Sequence, residues 1–137
     1  MKDLKIVIDL NTSGLNYSSD NISDGYQIIE IAAMIIGDDW KPIDAFHSYI
    51  SYDQTYQWSN KSEKAVGISK SMLVDNGVEM GEAAANFAEF ILQHCEPETP
   101  LVFIGYNVLS IDVPFIKSFF KKVSLPFIAI LAAHFLC

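Results

Sequence analysis

The sequence predicts an α/β domain, on three observations. Strand-like apolar runs fill its first fifty residues; Glu79 to His94 repeats apolar residues at helical spacing; and a short, wholly apolar run at Leu101–Ile104 leads into a second amphipathic segment. At 137 residues the chain, 1–137, is read as a single domain with room for a real core.

Leu4 to Ile8, broken only by Lys5, reads as a central strand that ends in Asp9, Asn11 and a glycine, Gly14. Side chains two apart on a strand share a face, so Asp9 and Asn11 point the same way at its C-terminal edge, where open α/β sheets place ligands. Leu15 to Gly25, rich in Asn, Ser and Asp, is a loop. Gln27 to Ile36 fits a buried second strand whose Glu30 needs a partner or a wet edge, as a strand-end polar contact or an auxiliary site residue. Trp40 to Ile50 alternates as a third strand of a meander, with His47 on the solvent side. Ser51 to Lys64 is a lid or loop with rim aromatics Tyr52, Tyr56 and Trp58. Short helical turns follow at Ser62–Val66, broken by Gly67, and at Ser69–Leu73.

Glu79 to His94 is the clearest helix, with Met80, Ala83, Ala84, Phe87, Phe90 and Ile91 on one stripe and His94 and Cys95 in its C-terminal capping region. Glu96 to Pro100 is a stiff turn before the parallel-type strand Leu101–Ile104. A helix is expected over Val113 to Val123, with Pro114 in its first turn and Asp112 at its N-terminus, where a capping aspartate is the plain reading. Leu125-Pro126 ends that helix. The last segment, Phe127 to Cys137, is apolar and predicts a core element that a partner or further residues would cover.

Composition narrows the function classes. Half of the residues are hydrophobic, with nine Phe, six Tyr and two Trp, which excludes a disordered chain. A net charge of −8 argues against a broad basic face for tracking nucleic acid, but not against gripping a strand end through metal ions. Cys95 and Cys137 lie far apart, without CxxC spacing or a secretory signal, and read as free thiols in a reducing, cytoplasmic compartment. Phe127 to Phe135 contains a histidine and is too short to span a bilayer, so no membrane partner is expected.

Two acids, Asp9 and Asp112, stand after predicted strands whose C-terminal ends a parallel pairing brings together. Converging carboxylates hold Mg²⁺ or Mn²⁺, hard cations that take oxygen ligands, and a pair of such ions can drive phosphodiester hydrolysis. The order of motifs is more specific. Asp9-Leu10-Asn11-Thr12-Ser13-Gly14-Leu15, then Gln27-Ile28-Ile29-Glu30-Ile31-Ala32, then Val66-Gly67-Ile68-Ser69 with Met72-Leu73, then Gly105-Tyr106-Asn107 running to Asp112-Val113-Pro114-Phe115, resembles the DEDD (DnaQ-like) 3′-5′ exonuclease family over nearly the whole chain.

The resemblance implies an RNase H-like mixed sheet, with the first three strands antiparallel and helices flanking it, and an exonuclease that removes nucleotides from 3′ ends with two Mg²⁺ or Mn²⁺ ions. It implies catalytic and metal-binding roles for Asp9 and Asp112, and a metal position for Asn11 where the family has glutamate. Thr12, Ser13, Gly14, Leu15 and Asn107 match positions that approach the terminal nucleotide. The implied partner is a single-stranded nucleic-acid 3′ end, DNA or RNA, with a polymerase or a second copy as cover for the apolar C-terminal segment.

Two departures are legible. Asn11 is neutral and offers one oxygen, which lowers metal affinity. The family's third motif, a general-base His or Tyr followed by a fourth aspartate, is absent: His134 has no acid after it. Asn107 and Asp112 are also five apart, where four is the commoner spacing. Two readings follow, an exonuclease domain that continues beyond Cys137, or a catalytically degenerate member that binds nucleic-acid ends or a protein partner.

Overall fold

In a computed structural model, residues 3–96, 99–123 and 134–136 are described, with the backbone alone for 122, 123 and 134–136. The elements are β1 (Leu4–Thr12), β2 (Ile28–Ile36), β3 (Pro42–Tyr49), α1 (Asn60–Val66), α2 (Lys70–Asn76), α3 (Met80–Leu92), β4 (Leu101–Ile104), a π-helical turn (Val108–Asp112), α4 (Val113–Val123) and β5 (His134–Leu136). They form one sheet in the order β3-β2-β1-β4-β5. β1 pairs antiparallel with β2, and β2 with β3, whereas β4 lies parallel to β1 and β5 parallel to β4. This is the mixed sheet expected, with its first three strands antiparallel.

The period of two along β1 sorts its side chains between two environments. Leu4, Ile6, Ile8 and Leu10 are buried, and Lys5, Val7, Asp9 and Asn11 lie on the other side, half-buried or exposed. Against the buried side pack Ala84, Phe87 and Ile91 of α3 and Phe115, Ile116 and Phe120 of α4. Phe87 stacks on Phe120 with ring centroids 6.2 Å apart and meets Phe46 of β3 at 5.4 Å, so both helices and the sheet share one core. Full burial of such a side chain contributes about 1.5–3 kcal/mol.

Local chemistry sets the helix ends. Ser59 and Ser69 cap α1 and α2 by accepting from the Ser62 and Met72 amides, and α1 stops at Gly67, whose φ of 74° lies in the left-handed region. Glu79 caps α3 by accepting from the Glu82 amide, and bonds to the Gly81 and Glu82 amides hold its carboxyl below the usual range. At the other end of α3, His94 Nε2 meets Asp44 Oδ2 at 2.8 Å and ties the helix to β3. A smaller cluster of Ile29, Ile68 and Leu73, with Tyr49 and Trp58 beside it, fixes α1 and α2 against the ends of β2 and β3.

β1 carries Asp9 and Asn11 at its C-terminal end, as expected, and its backbone pairing with β2 runs on to Thr12. One expectation needs correction. Asp112 is not an N-cap, because α4 has no free N-terminal turn there. The chain enters α4 straight from the π-helical turn, and the Val113 amide donates to Val108 O. The proposed Leu125-Pro126 helix end and most of the apolar segment Phe127 to Cys137 lie outside the described residues, as do Pro97 and Glu98 of the stiff turn.

A candidate metal centre and groove at the end of β1

Gly105 makes the meeting of Asp9 and Asp112 possible. A Cβ at this position would stand 2.7 Å from the Ile8 carbonyl oxygen, so only glycine lets the chain leaving β4 pass this close to β1. Asn107, with φ of 56° in the left-handed region, then opens the π-helical turn that returns Asp112 to the sheet. A π turn takes one residue more than an α turn. It therefore absorbs the five-residue spacing from Asn107 to Asp112 that sequence alone left as a departure.

The two carboxylates sit in contrasting surroundings. Asp9 is exposed, whereas Asp112 is 5% exposed, and neither makes a side-chain hydrogen bond among the described residues. Burial, and then the charge of Asp9, push the Asp112 carboxyl up to about 7. An acid raised this far by desolvation and by a like charge is short of positive charge in its environment.

Asn11 stands beside this pair on the same face of β1. Its Nδ2 donates to Glu30 Oε1 at 2.6 Å, and the other Glu30 oxygen accepts from His47 Nε2 at 2.6 Å. Asn11 and Glu30 are direct cross-strand partners, and His47 projects from β3 two residues before the partner of Glu30, so one polar row crosses three strands. His47 is half-exposed, as its expected solvent position implied, with its ring edge-on to Tyr49 at 4.8 Å. Glu30 is thus a polar contact tied directly to Asn11.

Two of the remaining candidates, Thr12 and Leu15, line a cavity of about 540 Å³ between the end of β1 and α1, with Asn11, Ser59, Lys61 and Ile111 among its other walls. Thr12 and Ser13 are buried, and their hydroxyls serve the chain itself: Thr12 Oγ1 donates to Gly14 O at 3.0 Å, and Ser13 Oγ accepts from the Gln27 amide at 3.0 Å. Gly14 lies so close to Tyr26 that a Cβ would be 2.3 Å from its ring. The Ser59 amide donates to Ser13 O at 2.7 Å and anchors the start of α1 over the end of β1. Leu15 lines the cavity, while Asn107 is exposed at the head of the π-helical turn. His134 lies in β5 opposite Val102, with only its backbone described.

The Glu30–His47 link and the place of Lys61 are what the sequence did not show. The first depends on cross-strand register and the second on how α1 is anchored; neither has a spacing signature in a single chain. Among the described residues no three of His, Cys, Asp and Glu converge as a metal cluster. The donors at hand are therefore the carboxylates of Asp9 and Asp112 and the amide oxygen of Asn11. That all-oxygen set, with a buried acid lacking a cation, fits Mg²⁺ or Mn²⁺.

Comparison with known proteins decides the family. The model of the RNase_T family, described as exonuclease, matches residues 6–130. This chain belongs to that family. The resemblance to DEDD, DnaQ-like exonucleases therefore holds, and the fold is RNase H-like. No curated protein matches by sequence. Among solved structures, the chain is similar to Escherichia coli exonuclease I in complex with a dT13 oligonucleotide, at TM-score 0.73 and 16% identity over 89% of this chain and 24% of that one. It is also similar to the product-bound structure of exonuclease I (TM-score 0.73, 16% identity, 90% and 26% covered). The zinc-bound form of the E. coli exonuclease I complex with single-stranded DNA gives TM-score 0.74 and 15% identity over 90% and 24%. At such identity the likeness concerns the fold, and the chain spans about a quarter of the length of these proteins.

Proposed function

We propose that residues 1–137 form a single exonuclease-like domain that acts on single-stranded nucleic-acid 3′ ends by metal-dependent phosphodiester hydrolysis. The observation that carries this reading is the buried Asp112 carboxyl, pushed up to about 7 by burial and then by the charge of Asp9, with no ion pair to either acid among the described residues. Asp9, Asp112 and the Asn11 oxygen are the groups that would hold Mg²⁺ or Mn²⁺, two ions by family resemblance. When bound, such ions activate a water and neutralise charge on the leaving oxygen.

The protein's own part is placement. Leu15 offers an apolar edge on which a terminal base can rest, and Thr12 and Ser13 hold the backbone that presents it. Lys61 supplies a positive charge in the same cavity for a phosphate. With a net charge of −8, affinity then comes from the end of the strand and the cation rather than from tracking the backbone. The binding of single-stranded DNA by E. coli exonuclease I supports this substrate class. The free thiol of Cys95 accords with a reducing, cytoplasmic setting, and no described helix is long and apolar enough to cross a membrane.

The test is degradation of 3′-labelled single-stranded DNA and short RNA in Mn²⁺. Shortening is expected, with loss in Asp9→Ala and an increase of about 10-fold in Asn11→Glu, which restores a charged ligand. A second reading, end binding without hydrolysis, is favoured by one feature, the commitment of Asn11 Nδ2 to Glu30 in place of an acid. It prevails if neither the native chain nor Asn11→Glu shortens the strand while both retain Mn²⁺-dependent binding to a 3′ end.

A further inference from the structure

The geometry points to Glu30 and His47 as positioning residues that fix the Asn11 side chain with its nitrogen held by β2 and its oxygen left for the cation, so that a neutral amide serves as an oxygen ligand. The inference rests on the metal-centre reading above and adds two residues to it.

Chemistry settles which end of the amide faces Glu30. A carboxylate only accepts, so the Asn11 atom 2.6 Å from Oε1 must be the N–H₂ nitrogen. Asn11 Oδ1 is then turned away from Glu30 and has no hydrogen-bond donor among the described residues. A free amide in the metal-free chain samples orientations with its nitrogen toward the site as well as its oxygen, and only the oxygen can ligate a cation, because the nitrogen lone pair is delocalised into the carbonyl. Holding the nitrogen removes the unproductive orientation.

Glu30 is itself held. Its second oxygen accepts from His47 Nε2 at 2.6 Å, and His47 is braced edge-on by the Tyr49 ring at 4.8 Å. Each member comes from a different strand of a paired sheet, so the backbone register fixes their spacing. Both oxygens of Glu30 are engaged, which leaves it a poor candidate for a direct ligand. Partners that orient a ligand in this way affect metal affinity by about 10- to 100-fold.

Mn²⁺ binding, read from the free-ion electron paramagnetic resonance signal, tests this in the full chain without reference to activity. Asp9→Ala is expected to abolish the site. Glu30→Leu and Asn11→Ala should each weaken binding about 10-fold, and the double variant no more than either alone. Glu30→Gln should stay near native, because a glutamine can accept from Asn11 with its oxygen and donate to the other tautomer of His47. In the ¹H–¹⁵N spectrum of the metal-free protein, the Asn11 side-chain amide should show one downfield proton in the native chain and in Glu30→Gln, and lose it in Glu30→Leu.

Equal weakening by Glu30→Gln and Glu30→Leu would mean that Glu30 acts through its charge, and overturns the proposal. Native affinity in Glu30→Leu, with the chain folded by circular dichroism, overturns it as well. Mn²⁺ binding that is absent, or unchanged by Asp9→Ala, removes the metal centre itself, and is told apart from those outcomes by the native and Asp9→Ala titrations alone.

Discussion

The two faces of the sheet differ in what they ask of the same strands. On one, Ile6, Ile8, Leu10 and Phe103 meet Phe87, Phe115 and Phe120 in hydrocarbon packing that holds α3 and α4 in place. On the other, Asp9, Asn11, Glu30 and His47 form a row with unlike hydrogen-bonding and charge properties, which a stable fold does not require. The difference teaches that stability and chemistry are separable here by the strand's period of two. Substitutions on one face should alter folding, and those on the other should alter metal and nucleic-acid chemistry.

The largest expected effect is on the packed face. Phe103→Ala leaves a cavity under β4 and should cost about 3–5 kcal/mol in urea denaturation, a large share of a domain's usual 5–15 kcal/mol. An effect below about 1 kcal/mol would mean that α3 and α4 do not rest on this strand. On the polar face, Asp9→Ala should reduce Mn²⁺-dependent shortening of a 3′-labelled strand at least about 100-fold, about 2.7 kcal/mol in the barrier, with the urea midpoint almost unmoved. A matching loss of stability would erase the distinction between the faces.

Asp112→Asn comes next and has the opposite sign for stability. Because the Asp112 carboxyl is raised to about 7 in the folded chain, it contributes stability that is fully present below its unfolded value and is lost as pH rises to about 7. At pH 8 in the absence of metal the variant should therefore be more stable than the native chain, by up to about 4 kcal/mol. At pH 4 the gap should close. Thermal melts at the two pH values check this, and an unchanged gap would place Asp112 outside the field of Asp9. The smallest effect belongs to His47→Ala, half-exposed at the far end of the row. It should move stability by less than about 0.5 kcal/mol, read from the urea midpoint, and a larger loss would assign His47 to the core.

Much of this was legible in the chain itself. The apolar runs of β1, β2 and β4 and the helical period of the α3 stripe are plain in the sequence, and Gly67 marks a helix end by chemistry that acts within a few residues. Asp9 and Asp112 were legible as a pair through the motifs around them. What stayed hidden depends on contacts between strands. β1 reaches Thr12 because β2 pairs with it there, and Glu30 finds Asn11 and His47 because register sets them side by side. Asp112 read as a cap because Pro114 and the amphipathic stripe mark a helix start; the π-helical turn before it has no comparable local signal.

The most direct test of the central claim is the titration of the Asp112 carboxyl by ¹³C nuclear magnetic resonance, without and with Mg²⁺. A midpoint at about 7 is expected in the metal-free chain, with a marked fall when Mg²⁺ is added and a partial fall in Asp9→Asn. A midpoint near the ordinary aspartate value of about 3.9, indifferent to both Mg²⁺ and Asp9, would contradict that claim.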